Sequence, residues 1–435
     1  MVSEHASPLA AVGGVDAGGQ NVHVAALSAA LADRGHEVVV YTRRDGTCLP
    51  DRVRMRAGVV VEHLDAGPAI AIPKDELLHF VPELARSLAR RLEAQPPDVL
   101  HGHFWMSGMA CAEAVDRRAS ARLPFVHTFH ALGTVKRRWL GPEDTSPPER
   151  IPAELEVARR ADRVLATCSD EVSELVAAGA DPARVDVVPC GVDVDHFTED
   201  GPVVPRTRRP RLLALGRLVP RKGLDDAVEA LSRLRDGELL IAGGPPAQEL
   251  GADPEASRLR ALADQLGVRP RTRLLGRVPR AELPPLIRSA DIVVCLPWYE
   301  PFGIVPLEAM ACGVPVVGTT VGGLLDTVVD GETGTLLPVR RPDLVARAVA
   351  ELLADQPRRA AYGRAAARRV RQLYAWPIVA AATEACYVRA GVAAGAPRRP
   401  DGRARRTTGT SATGTSTTGP TPRTPRTTRV EEALR

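Results

Sequence analysis

Two glutamates, Glu300 and Glu308, stand eight positions apart in the run Glu300-Pro301-Phe302-Gly303-Ile304-Val305-Pro306-Leu307-Glu308. The apolar stretch Asp291-Ile292-Val293-Val294-Cys295-Leu296-Pro297 ahead of them reads as a buried strand. The stretch Glu308-Ala309-Met310-Ala311-Cys312-Gly313 behind them reads as a helix stopped by glycine. The pair therefore flanks a strand-to-helix turn with Gly303 at the bend. A helix start offers free backbone N–H groups to an anion. A carboxylate a turn or more into that helix can accept hydrogen bonds from sugar hydroxyls. These are parts from which a site for a sugar nucleotide can be built.

Lysine is the second informative residue type. The chain has 57 basic side chains, of which only Lys74, Lys136 and Lys222 are lysine and 54 are arginine. A compact ammonium and a planar guanidinium are not interchangeable. A lysine in so arginine-rich a chain is either a chance survivor or sits where the fork does not fit. Lys222 falls in Gly216-Arg217-Leu218-Val219-Pro220-Arg221-Lys222-Gly223, after the apolar run Leu212–Leu215. Arg217 and Lys222 thus stand as two positive charges just beyond a predicted strand. His101-Gly102-His103 and His127-Thr128-Phe129-His130 end two apolar runs, where ligand sites of α/β sheets form. Such pairs can ligate zinc, but no carboxylate or cysteine cluster completes a shell, so no metal is expected. The glycine-rich loop Gly13-Gly14-Val15-Asp16-Ala17-Gly18-Gly19-Gln20-Asn21 lets backbone N–H groups approach an anion. It is not G-x-G-x-x-G and does not argue for a dinucleotide. Lys136-Arg137-Arg138-Trp139 reads as a basic, aromatic loop, either solvated or touching anionic lipid.

The elements that must position these residues alternate regularly. Short apolar runs at 38–41, 98–101, 124–128, 163–167 and 185–189 are separated by helical patterns, among them 21–34 and 76–94. The rhythm repeats at 211–215, 238–242, 272–275, 291–296 and 314–318. This βαβ alternation predicts α/β domains with parallel, doubly wound sheets. At 435 residues the chain is too long for one core. Residues 201–210 are polar and proline-broken and read as the linker. The expected division is a first domain over 1–200, a second over 211–375, and a final helix over 376–392. Residues 393–435 are Thr, Gly, Pro and Arg and are expected to be disordered. They carry a net charge of +6, from nine Arg and three acids, so the rest of the chain is near −2 of the total +4. The near-neutral body does not argue for nucleic acid. Seven scattered cysteines without C-x-x-C suit a reducing, cytoplasmic setting. No apolar run reaches spanning length, and no signal peptide is visible. A peripheral membrane location stays open through the basic segments. Only about five residues precede Ser7-Pro8-Leu9-Ala10, so the first strand is expected to be weak, and an N-terminally extended version of the chain more stable.

The whole run E-P-F-G-I-V-P-L-E-A-M-A-C-G-V-P-V-V resembles the E-x7-E segment of family 4 of the retaining glycosyltransferases, which includes sucrose-phosphate synthases. G-R-L-V-P-R-K-G resembles the family's diphosphate-binding segment. D-A-G-G-Q-N-V-H-V and H-T-F-H-A-L-G-T-V-K resemble two further family segments in the first half. The resemblance covers about residues 3–391. It implies a GT-B architecture, two Rossmann-like domains facing across a cleft, the first (1–200) binding the acceptor, the second (211–375) the nucleotide sugar, and the final helix (376–392) crossing back to the first. It also implies transfer from a nucleotide sugar to a hydroxyl with no required cofactor or metal. By resemblance, His130, Arg217, Lys222 and Glu300 are catalytic. Gly19, Phe302, Gly303, Ile304 and Glu308 join Arg217, Lys222 and Glu300 in holding the donor, with a UDP-sugar favoured. Asn21, Lys74, Phe104 and Arg150 would face the acceptor, a small or lipid-linked molecule, with a phosphorylated one left open. Family members that glycosylate inositol phosphate carry Tyr where this chain has Phe104 and Thr where it has Ala131. Two other readings remain at this point: a GT-B nucleotide-sugar epimerase, and a sugar-nucleotide-binding subunit without catalysis.

Overall fold

The computed structural model describes residues 1–10, 18–118 and 122–392. Most of the loop 13–21 and all of the tail 393–435 lie outside these residues. Among the described residues thirteen strands form two sheets, the first in two strand groups joined through the N-terminal segment. The first half contributes β1 (Val38–Arg43), β2 (Arg52–Arg56), β3 (Val59–Leu64), β4 (Leu100–His103), β5 (Phe125–Thr128), β6 (Arg163–Ala166) and β7 (Val185–Val187). They pair as β2-β3-β1 and β4-β5-β6-β7. Val2 joins the two groups, bridging Tyr41 of β1 and Gly102 of β4 in parallel. It is fully buried, and its N–H donates to the His101 carbonyl at 2.8 Å. The order reverses at this N-terminal segment, so β4 and β5 run out beside it on one side and β1 on the other.

The second half contributes β8 (Arg211–Leu215), β9 (Glu238–Ala242), β10 (Thr272–Gly276), β11 (Ile292–Cys295), β12 (Val316–Thr319) and β13 (Gly334–Leu337). Their order is β10-β9-β8-β11-β12-β13, all parallel. Counted within this half, that is 3-2-1-4-5-6, the doubly wound order whose switch point lies between its first and fourth strands. β8 and β11 are buried at every position. Ligands bind such sheets in the crevice outside the strand ends at the switch point. Here the crevice is bordered by the turn after β8, which carries Lys222, and the turn after β11, which carries Glu300.

Four features depart from the sequence reading. The antiparallel edge strand β2 and its partner β3 were not anticipated, because Arg52-Val53-Arg54-Met55-Arg56 alternates on an exposed edge. β13 was likewise missed. Residues 74–94 are two elements, a 3₁₀ helix Lys74–Phe80 and an α-helix Val81–Ala94, broken where Pro82 occupies the first turn. Lys136 through Trp139 belong to the α-helix Gly133–Leu140 and are not a loop. Lys136 pairs with Asp144 at 2.9 Å, and Arg138 grips Glu174 at 2.6 and 2.9 Å. These charges are therefore spent within the fold.

The helix Trp376–Arg389 packs on the helix Gly19–Asp33 of the first half, sharing a core with Val24, Leu27, Leu31, Val38 and Val40. Trp376 presses on Gly191, where any Cβ would sit inside the indole. The chain thus enters the second sheet near β8 and returns to the first through this helix. Among the described residues no helix is long and apolar enough to cross a membrane.

Candidate active site

The candidate donor side is built on two turns of the second sheet. After β8 the chain makes a 3₁₀ turn Pro220–Lys222, and Gly223 takes a left-handed conformation, φ 62°. A Cβ there would collide with the Leu296 carbonyl at the end of β11. This close approach brings Lys222 to Glu300, and the ammonium and carboxylate form an ion pair, both largely buried. Arg217 lies exposed on the same turn. After β11, Gly303 (φ 67°) caps the helix Ile304–Ala311. Gly322 and Gly323 lie against this turn, and the Gly323 N–H donates to the Glu300 carbonyl at 2.8 Å. A side chain at Gly322 would strike that carbonyl.

The two glutamates are tuned differently. Burial pushes the Glu300 carboxyl up, but the Lys222 ammonium and the Phe302 N–H outweigh it and hold it below the ordinary range. Burial prevails at Glu308, whose carboxyl is raised although Arg280 donates to it at 3.0 Å. Arg280 was not singled out in the sequence, because nothing near Arg277-Val278-Pro279-Arg280 marks it.

Facing these turns are strand ends of the first sheet. Phe104 and His130, just beyond β4 and β5, both have positive φ, 77° and 65°. Such backbone is uncommon for non-glycine residues and gathers at functional sites. His130 is buried, and its ring stands 5.3 Å from that of Phe302 across the cleft. Nε2 of His130 lies 3.0 Å from Nδ1 of His103. His23 stands 5.0 Å from His130 by ring centroids. Burial and the neighbouring imidazoles hold His103 and His130 well below their ordinary range, and burial lowers His23 to about 4. The cluster is therefore neutral at physiological pH. Nδ1 of His130 and Nε2 of His103 are buried without a hydrogen-bond partner, an arrangement suited to a ligand hydroxyl. Gly19 completes the cleft: a Cβ on it would come 3.2 Å from Phe302 and Ile304. Among the described residues no group of three His, Cys, Asp or Glu is disposed to hold a metal ion.

The candidate acceptor residues separate into two kinds. Lys74 and Arg150 converge on Phe104, with the ammonium 5.9 Å and the guanidinium carbon 5.2 Å from the ring centre. Arg150 is buried and already donates to Glu154, to the Ala131 carbonyl and to Ser146. His5 stacks edge-on to Phe104 at 4.8 Å and contacts Glu4 at 2.7 Å; neither residue stood out in the sequence. Asn21 is turned into its own loop: it accepts from the Gly18 N–H at 3.1 Å and donates to the Ser7 carbonyl at 3.0 Å.

Two Rossmann-like domains with strand-end sites facing one another define the GT-B class. Comparison with known proteins narrows it. Residues 17–196 match the model of Glycosyltransferase Family 4, and residues 197–369 that of Glycosyl transferases group 1. D-inositol 3-phosphate glycosyltransferase from Kribbella flavida is 39% identical over 406 residues, 89% of this chain and 94% of that protein. The protein of that name from Mycobacterium avium is 38% identical over 90% of this chain and 93% of its own length. Among solved structures, sucrose-phosphate synthase from Thermosynechococcus elongatus superposes with a TM-score of 0.80 at 30% identity, covering 89% of this chain and 97% of that one. HepE from Anabaena, solved with UDP and glucose, shares the fold at a TM-score of 0.67 and 20% identity, over 88% of this chain and 97% of its own. The chain belongs to family 4 of the glycosyltransferases.

Proposed function

We propose that this glycosyltransferase moves a sugar from a UDP-sugar to a hydroxyl of a small phosphorylated acceptor, with retention at the anomeric carbon. The observation that carries the reading is the buried Lys222–Glu300 pair at the switch point of the second sheet, opposite His130. Glu300 is held ionised, and His130 is held neutral. Neither is therefore poised as a general acid at neutral pH. Catalysis then rests on stabilising the departing diphosphate. Arg217 and Lys222 supply the positive charge, and Gly19 leaves room for the phosphates to approach backbone. Glu300, with the N–H groups of Phe302 and Gly303, holds sugar hydroxyls, and His130 accepts or donates one further hydrogen bond. Glu308 receives the ribose hydroxyls, with Ile304 beside it. The acceptor hydroxyl attacks from the face the diphosphate leaves, and a leaving phosphate oxygen takes its proton.

On the acceptor side, Lys74 and Arg150 around Phe104 suit a phosphate. Asn21 shapes the adjoining loop. The relatives' name makes inositol 3-phosphate the first acceptor to try. Phe104 and Ala131 carry no hydroxyl, which favours an acceptor that is less demanding in hydrogen bonds at that point. The test is incubation with UDP-glucose or UDP-N-acetylglucosamine and a panel of phosphorylated polyols, following UDP release and the anomeric configuration of the product by NMR. An α-linked product from an α-linked donor is expected. An inverted product, or conversion of the donor sugar without acceptor, would overturn the reading.

A further inference from the structure

A second set of contacts joins the two halves beside the donor turn. Thr167, just after β6, directs its hydroxyl at the Pro301 carbonyl at 3.2 Å. Pro301 is the residue between Glu300 and Phe302. Two residues further on, the N–H and hydroxyl of Ser169 both donate at 2.6 Å to the carboxylate of Asp326 in the second half. Behind Thr167 lies Glu171, buried, with one carboxyl oxygen 2.6 Å from both the N–H and the hydroxyl of Thr167. Its other oxygen has no partner.

The hydrogens decide what this arrangement can do. A threonine hydroxyl has one hydrogen to donate and two lone pairs to accept with. When Glu171 is ionised, that hydrogen has two competing acceptors, the carboxylate and the Pro301 carbonyl. The carboxylate is nearer and charged, so it takes the hydrogen. When Glu171 is protonated, the carboxyl donates to Thr167, and the threonine hydrogen is released to Pro301. The Thr167 N–H still finds a lone pair on the same carboxyl oxygen. We infer that Thr167 and Glu171 are positioning residues for the donor turn, fastening the Pro301 carbonyl to the first domain when Glu171 carries a proton.

The surroundings permit the switch near neutrality. Burial, with Glu154 of the helix Arg150–Arg160 and Asp170 beside it, pushes Glu171 up to about 7, against the Thr167 hydrogen bonds. From the donor turn, Tyr299 faces it with a phenol raised well above its ordinary range, by burial first and then by Glu171, Cys168 and Glu300. Asp326 is tied to Ser169 and bears on Asp170. Both charges acting directly on Glu171 are negative, so the proton is favoured.

The inference rests on the donor reading above, and UDP titration calorimetry at pH 6 and pH 8 separates the two. Wild type should bind UDP more weakly at pH 8. The Glu171→Gln variant keeps an acceptor oxygen for Thr167 but cannot titrate. It should bind UDP equally at pH 6 and pH 8, without the roughly fivefold weakening of wild type between them, the worth of one hydrogen bond. Thr167→Val should flatten the dependence in the same way, and Thr167→Ser should restore it. Ionisation of the UDP phosphate is common to all variants and cancels in the ratios. Circular dichroism and thermal unfolding establish that each variant is folded. If wild type binds UDP but Glu171→Gln keeps the full pH response, the inference is overturned while the donor reading stands. If wild type binds no UDP, the donor reading fails and the inference with it.

Discussion

Lys222 and Glu300 hold each other in a crevice where neither would be stable alone. An ion pair of this kind becomes costly when one partner is removed, because a buried charge is left uncompensated. In wild type the depressed carboxyl keeps Glu300 ionised throughout the neutral range. Its contribution to stability is lost only as pH falls through that lowered value. Lys222→Ala leaves only Arg221 and the Phe302 N–H to oppose burial at Glu300 and should raise its carboxyl. Turnover is expected to fall about 100-fold or more, and the acid limb of the residual rate should move to higher pH. A rate–pH profile unchanged in shape would contradict the pairing. The histidines make the opposite case. His130 sits at φ 65°, a conformation that asparagine tolerates better than most residues. His130→Asn should keep the fold, seen as an unchanged melting temperature, and lose turnover.

The turns that carry these side chains are exact in backbone and permissive in little else. Gly223 is the test position, since a Cβ there meets the Leu296 carbonyl. Gly331 has a similar φ of 77° but nothing within 4 Å of its would-be Cβ. Gly223→Ala should cost well above the ~1 kcal/mol of backbone strain expected for Gly331→Ala, measured by urea denaturation, and should abolish donor binding. Strands β8 to β12 were legible in the sequence because they carry apolar runs with glycine-marked turns between them. Glu300, Lys222 and Gly303 lie on such turns, and Glu308 in the helix that follows. Arg280, Thr167 and Glu171 were not legible. Each reaches its partner across 28, 134 or 4 positions through the fold, or through burial alone. The edge strand β2 escaped notice because an exposed arginine-rich alternation has no apolar face to mark it. His23 could have been found, lying two residues beyond Asn21, but a histidine on a helix gives no sign of the imidazoles it will meet.

Across the whole molecule, stability depends on the helix that returns from the second half and on histidines kept uncharged. Trp376 fills the space over Gly191 and joins the core of the first domain. Trp376→Ala should destabilise the protein by about 3–5 kcal/mol, read as a lower urea midpoint of the first-domain transition. The histidines add a pH dependence. His23 has a folded value near 4 against an ordinary 6.5. Between those values the unfolded chain binds more protons than the folded one, so stability falls as pH drops below about 6.5. His23 alone accounts for about 3 kcal/mol across that interval, and His101, His103, His127 and His130 act in the same direction. Melting temperatures measured from pH 7.5 to 4.5 should fall steeply, and less steeply in His23→Phe. The central claim is that the crevice between β8 and β11 binds a nucleoside diphosphate through Lys222. Calorimetric titration at pH 6 of wild type and Lys222→Ala with UDP, beside GDP and ADP, tests it most directly. The account predicts saturable one-site UDP binding to wild type, weakened at least about tenfold in the variant. Equal UDP affinity in both proteins, or binding of none of the three nucleotides to wild type, would contradict it.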